Sequence, residues 1–272
     1  QKVREAAARS QSQNNLRQIG TGLHNARSAF EDKVPPAQGA FPAQYVAGNT
    51  APQNMQTMFF HLLPYVEQDN AYRTLAYATN VKIYAAPGDP SNPNNNDQLS
   101  YASVLAAFPG LSPRRMFAGL ASKGESNSVV FCERFSQVGA APFRWGQPAN
   151  LVPYTTAPIL MVSPSTYVWT GSETPTFITG GLNATTPNSL LLTLPTGVTF
   201  TSIPTPMTSP QFPIPATIPN GLNYPRNAAW CYSASGNQVL MGDGSARSVA
   251  PGTTGWAVAV NTYNNAAPGG NW

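Results

Sequence analysis

Three groups of residues have the types and spacing to do chemistry. Asp89, Asn92, Asn94, Asn95, Asn96 and Asp97 place six side-chain oxygen donors within nine residues. Hard cations such as Ca2+ take about six to eight oxygen ligands, so Asp89, Asn94, Asn96 and Asp97 form a candidate calcium loop. Their spacing matches no EF-hand, and runs of Asn and Pro are also ordinary turn chemistry. Lys2, Arg4, Arg9, Arg17 and Arg27 set five cations against the single acid Glu5, a pattern suited to phosphate or lipid-headgroup contacts. Cys132 and Cys231 lie 99 positions apart and leave two readings open: one disulfide in an oxidising compartment, or two buried thiols.

The remaining candidates are weaker. No G-x-S-x-G, S-x-x-K or phosphate-cradling glycine loop is present, so nucleophilic catalysis and nucleotide binding have no motif behind them. His24 and His61 are the two histidines and have no zinc-type spacing. His24 falls beside the apolar stripe of its helix, facing solvent or an interface. His61 precedes a Leu-Leu-Pro turn and reads as structural. Asp243-Gly244 reads as a hairpin turn, with Gly supplying positive φ. Glu67 and Glu133 would make a carboxylate pair, but nothing in the order of elements brings them together. Asn183-Ala184-Thr185 is a glycosylation sequon. No catalytic residue, resident metal or cofactor is expected beyond the candidate Ca2+ loop.

Composition narrows the setting. Only 10% of the 272 residues are charged, against about 25% in typical soluble domains. Apolar residues reach 42% and aromatics 10%, which is too rich for disorder. An uncharged polar surface of this kind suits work outside the cytoplasm. The net charge of +4 is carried entirely by the first 27 residues, and the rest balances to zero. A basic surface for nucleic acid would have to be this segment. No aromatic ring is interleaved there, so nucleic acid is not an expected partner.

The elements that position these residues follow from periodicity. Residues 1–30 are rich in helix formers and free of Pro. Leu16, Ile19, Leu23, Ala26 and Phe30 follow a 3-4-3-4 spacing and form one apolar stripe. Extended backwards, the stripe lands on Ser12, Ala8, Glu5 and Gln1, and the apolar face ends. The second half of the helix should therefore pack on a globular head, while the first half has nothing in this chain to bury against. Pro35 and Pro36 forbid continuation. Residues 54–75 read as a second helix bent at Pro64. The stretch YAAPGDPSNPNNNDQLSYAS reads as loop, NSVVFCERF as a strand, and residues 238–249 as a hairpin. Residues 141–225 hold 15 of the 27 prolines and two charges, Arg144 and Glu173. They read as a β-rich Pro/Thr-rich insertion in the head formed by 31–140 and 226–272. The fold class is α+β rather than alternating βαβ.

Four stretches carry a resemblance: QKVREAAARSQSQNNLRQIGTGLHN, FFHLLPYVEQDNAY, APGDPSNP with SYAS, and NQVLMGDGSARSV. In this order they are similar to the planctomycete proteins with a prepilin-type cleavage and methylation segment, which resemble type IV pilins and pseudopilins. The entry KGESNSVVFCER resembles the family's strand entry as well. The chain departs from the pattern at Ala86, where the family often has Cys before its Pro-Ser-Asp-Pro loop. The resemblance implies an apolar helical segment of about 20–25 residues before Gln1 that reaches the membrane. It also implies a pilin-like head on an antiparallel sheet.

On this basis the expected protein is a structural subunit of a type IV pilus-like or type II secretion pseudopilus-like filament at the cell surface, not an enzyme. Leu16, Ile19, Leu23 and Phe30 would pack helix on head. Arg4, Arg9 and Arg17 would contact neighbouring copies or lipid headgroups. The alternative is a membrane-anchored surface module that binds carbohydrate or a cell-wall polymer on Tyr154, Tyr167 and Trp169. Those rings would otherwise fill the insertion's own core.

Overall fold

The computed structural model describes residues 2–44, 46, 51, 53, 56–91, 98–104, 107–108, 112–115, 124–138, 141–142, 144–146, 159–160, 176–177, 192–193, 231–253, 255–256 and 259. Helix α1 spans Lys2–Ala29, about 42 Å at 1.5 Å per residue. Glu5 in its first turn and Arg27 in its last both complement the helix dipole. The helix stops before the prolines are reached. Glu31 and Asp32 adopt left-handed φ values of 54° and 69°, and the Arg27 carbonyl accepts from the Phe30 and Asp32 amides at 3.3 and 3.0 Å. The Arg27 guanidinium closes the same turn through an ion pair with Asp32.

The region after Thr57 departs from the single bent helix expected over 54–75. It is a run of three short pieces: α2 at Met58–Leu62, a 3-10 turn at Leu63–Tyr65, and α3 at Asp69–Thr74. The Thr57 hydroxyl caps α2 by accepting from the Phe60 amide at 3.2 Å. Pro64, within the 3-10 turn, has no amide to give an α-helical ladder. Glu67 at φ 62° then reverses the chain. The pieces fold back on themselves because their apolar residues are not on one stripe. Met58, Phe59, Phe60, Leu62 and Leu63 are all fully buried.

The main sheet is built from β1 (Tyr101–Val104), β2 (Val129–Glu133), β3 (Asn237–Met241) and β4 (Ala246–Val249), in the order β4-β3-β2-β1. These four pair antiparallel, and Ile159–Leu160 adds to the β1 edge in parallel. The 101–104 stretch, expected as the end of a loop, is therefore a sheet strand. A register shift between Leu240 and Met241 marks a bulge in β3. The β3–β4 turn closes with Gly244 at φ +83° and the Asp243 carboxylate accepting from the Ser245 amide at 2.9 Å. Every residue of β1, β2 and β3 is buried, which is why the Val-Val-Phe of β2 reads as a run rather than as alternation.

Helix α1 lies on β3 and β4. Two glycines set the approach. A Cβ on Gly20 would come within 3.0 Å of Leu240 Cδ2, and one on Gly22 within 2.7 Å of Val66 Cγ1. Glycine inside a helix costs about 1 kcal/mol relative to Ala, and here the lost propensity permits close packing. Leu16, Ile19, Leu23 and Ala26 are fully buried against the sheet and α2. Phe30 is half-buried and meets Phe41 edge to face at 4.8 Å. Trp145 is also a core residue, stacked at 6.4 Å on Phe60 and 6.3 Å on Tyr77.

Candidate functional site

The apolar stripe of α1 ends at Leu16, but burial does not. Ser12, one turn further back, and Asn15, next to Leu16 in sequence, are buried too, because β1 and β2 present polar side chains to them. Tyr101 and Glu133 are direct partners in the antiparallel register of β1 and β2, so both point to the same face of the sheet. There the Ser12 hydroxyl donates to Glu133 Oε1 at 2.5 Å and lies 3.0 Å from the Tyr101 hydroxyl. Asn15 Nδ2 donates to the Tyr101 hydroxyl at 3.3 Å and to the Ala85 carbonyl at 3.0 Å. The other carboxylate oxygen, Glu133 Oε2, accepts from the Gln238 amide at 2.8 Å. Asn237 completes the frame by exchanging both amide hydrogen bonds with the Glu133 backbone, at 3.2 and 3.0 Å. This polar layer corrects the expectation that the first half of α1 has nothing to pack on. Docking extends one turn past the apolar stripe, and Glu5 also accepts a bond from Ser235 Oγ at 3.3 Å.

Glu133 is 3% exposed, and no cation forms an ion pair with it among the described residues. Burial pushes its carboxyl up to about 8, the bonds from Ser12 and Gln238 pull it down, and the nearby Asp89 charge pushes it up. The Tyr101 hydroxyl is raised by burial first and by the Glu133 charge second.

Asp89, the first residue of the candidate calcium loop, is a second buried carboxylate close by. Its Oδ1 accepts from the Ser91 amide at 2.9 Å and hydroxyl at 2.6 Å. Its Oδ2 accepts from the Ser100 hydroxyl at 2.7 Å and the Ser136 amide at 2.8 Å. Both oxygens accept from serine and backbone donors, which tie the loop to the ends of β1 and β2. Asn94, Asn96 and Asp97 lie outside the described residues, as do Tyr154, Tyr167, Trp169 and Asn183. No group of three His, Cys, Asp or Glu among the described residues is placed to hold a metal ion.

The cysteine alternative resolves as two free, buried thiols. Burial pushes both Cys132 and Cys231 up to about 12, which makes them poor nucleophiles. His61 is buried, its Nε2 lies 2.9 Å from the Gly39 carbonyl, and burial lowers it to about 4. It is a neutral core residue. His24 is half-buried at the interface with the hairpin turn, close to where a Cβ on Gly244 would sit. Glu67 is exposed while Glu133 is buried, so the two carboxylates do not share an environment.

Arg4, Arg9 and Arg17 are exposed on α1. From Lys2 to Gln11 every residue is exposed except the half-buried Ala8, and Val3 stands 82% exposed. About 15 Å of basic helix therefore extends beyond the last buried turn. No helix among the described residues is long and apolar enough to cross a membrane.

The polar layer was only partly legible beforehand. Ser12 continues the 3-4 spacing of the stripe and so marks a buried position, but nothing local to it names Glu133 as the partner.

No curated protein and no solved structure matches the chain. A family model described as a protein of unknown function (DUF1559) matches residues 1–188, which take in α1, β1 and β2 and more than half of the sequence. The chain belongs to that DUF1559 family of proteins of unknown function.

Proposed function

We propose that the protein is a structural subunit of a surface filament of the type IV pilus or type II secretion pseudopilus kind, assembling through α1. The observation that supports this reading is the division of one continuous helix into two environments. Residues 16–26 are clamped to the head, while residues 2–11 touch it only through the half-buried Ala8 and the Glu5–Ser235 bond among the described contacts, with Lys2, Arg4 and Arg9 exposed. An isolated helix this short is marginal in water, so a free-standing end suits a role in which something else covers it. In the filament, the cover is the helices of neighbouring copies, with membrane headgroups taking the same face before assembly. Arg4, Arg9 and Arg17 make those contacts. The prepilin-type resemblance of the N-terminal stretch points the same way.

The role is scaffolding rather than catalysis, and its site of action is the cell surface. Mass spectrometry of the native N-terminal peptide, with electron microscopy of the cells that make the protein, tests this. A methylated N-terminus followed by an apolar segment before Gln1, together with filaments that carry the protein, is the expected result. A native chain that starts at or near Gln1 and forms no filaments would overturn it.

A further inference from the structure

Just past the C-terminal end of α1, a short ribbon gathers positive charge at a cost to itself. Residues 33–34 pair antiparallel with 114–115, setting Lys33 opposite Arg115 and Val34 opposite Arg114. Directly opposed Cβ atoms lie about 4.5–5.5 Å apart, and like charges placed there destabilise the pair. The ribbon is nonetheless firmly held. Val34 and Pro113 are buried, the Lys33 amide donates to the Phe30 carbonyl at 2.9 Å, and the Arg27–Asp32 ion pair closes the turn before it. Strand side chains alternate between faces, so burying Val34 turns Lys33 and its partner Arg115 outward together. Arg114 and Arg115 are exposed. The Lys33 side chain is 43% exposed, with its Nζ 3.6 Å from the Glu31 carboxylate. Cations held side by side in this way gain most from an anion set between them. The planar fork of a guanidinium matches the paired oxygens of a carboxylate or phosphate.

We infer that Lys33, Arg114 and Arg115 form a binding site for an acidic polysaccharide, a surface polymer with repeated carboxylate or phosphate groups. Lys33 and Arg115 hold one anionic group between them. Arg114, one position along the strand, takes a second group on the same polymer. Lipid headgroups carry similar chemistry but are badly placed. Helix α1 separates the ribbon from Lys2 by about 42 Å, several times the screening length of about 8–10 Å in physiological salt. With the start of α1 at the membrane, the ribbon therefore faces away from it. Another copy of the chain is a poor source of the anion. Glu31, Asp32, Asp69 and Glu125 are ion-paired within their own copy, and the whole chain carries a net charge of +4. Preferring a polymer to a headgroup rests on the filament reading above, whereas anion binding at the ribbon does not.

The test is the affinity of the full chain for polygalacturonate, with dextran as the uncharged comparator, at about 0.1 M salt. Wild type should bind the polygalacturonate and not the dextran. The double variant Arg114→Ala/Arg115→Ala should weaken binding by about tenfold or more. Arg73→Ala/Lys82→Ala removes the same charge from exposed positions elsewhere and should stay within about twofold of wild type. Arg115→Ala relieves the repulsion with Lys33, so it should melt no lower than wild type, which separates lost binding from lost folding. Arg115→Glu is a second variant that should lose the polymer. Equal weakening in the two double variants, or no preference for polygalacturonate over dextran, overturns the site. Tighter binding to phosphatidylglycerol vesicles than to polygalacturonate, lost in Arg114→Ala/Arg115→Ala, overturns the polymer in favour of a headgroup. Imaging of the producing cells separates this inference from the filament. Polymer binding without filaments keeps the site and sinks the filament, and filaments whose subunit ignores the polymer do the reverse.

Discussion

The two halves of α1 have nearly the same backbone and opposite surroundings. From Leu16 to Ala26 the helix is held by apolar contacts every third or fourth residue, with Gly20 and Gly22 letting it sit close to Leu240 and Val66. From Lys2 to Gln11 it is held by little more than its own ladder and the Glu5–Ser235 bond. Between them, Ser12 and Asn15 dock through hydrogen bonds to Tyr101 and Glu133. Propensity alone makes both halves helical. Packing distinguishes them, and only the middle layer does so with groups that titrate.

The contrast breaks most severely at the apolar half. Leu23→Ala removes a fully buried side chain from the helix–head core, and chemical denaturation should show a loss of about 2–5 kcal/mol. The same change at Val3, 82% exposed, should fall within about 0.5 kcal/mol of wild type.

Next comes pH. Glu133 binds its proton more tightly folded than unfolded, up to about 8, so stability falls as pH rises from the ordinary carboxylate range to about 8. His61, lowered from 6.5 to about 4, acts oppositely, and stability falls as pH drops through that window. The two slopes oppose each other between about 4.5 and 6.5, leaving a plateau with a decline on each side, the alkaline one on the order of a few kcal/mol. Thermal melts across pH should show this profile, and Glu133→Gln should flatten its alkaline limb.

A smaller effect is expected at Gly22→Ala. The added methyl gains helix propensity but meets Val66 at 2.7 Å and the Tyr65 carbonyl at 3.2 Å, for a net loss of about 1–3 kcal/mol. A crystal structure of the variant would show whether Val66 or the helix gives way. Smallest for stability is Arg9→Ala in the exposed arm, within about 0.5 kcal/mol by melting. It would sharpen the comparison if filament assembly nonetheless dropped, since that would separate what the arm does for the fold from what it does for the assembly.

The legible features were those with a local cause. The stripe at Leu16, Ile19 and Leu23 follows from 3.6-residue periodicity, the 238–249 hairpin from its Asp-Gly turn, and the β2 strand from its run of Val, Val and Phe. The 54–75 segment misled because its apolar density suggested one helix, whereas Thr57, Pro64 and Glu67 each interrupt the ladder. Strand β1 was hidden by the Ser and Ala that flank its Tyr, small residues that reveal nothing of a face buried by its neighbours. The partners of Asp89 were not legible because Ser91, Ser100 and Ser136 reach it from three different places in the chain.

Residue order was therefore enough to establish an α+β chain with a long basic helix whose apolar face covers only its second half, since periodicity and composition are properties of neighbours in sequence. Pairing Tyr101 with Glu133, and setting Ser12 over both, required the register of β1 on β2 and the seating of α1 on the sheet. A residue at position 12 acquires a carboxyl partner 121 positions away only when the strands and the helix are packed. The same packing strips water from that carboxyl and raises its proton affinity, so its chemistry belongs to the tertiary structure.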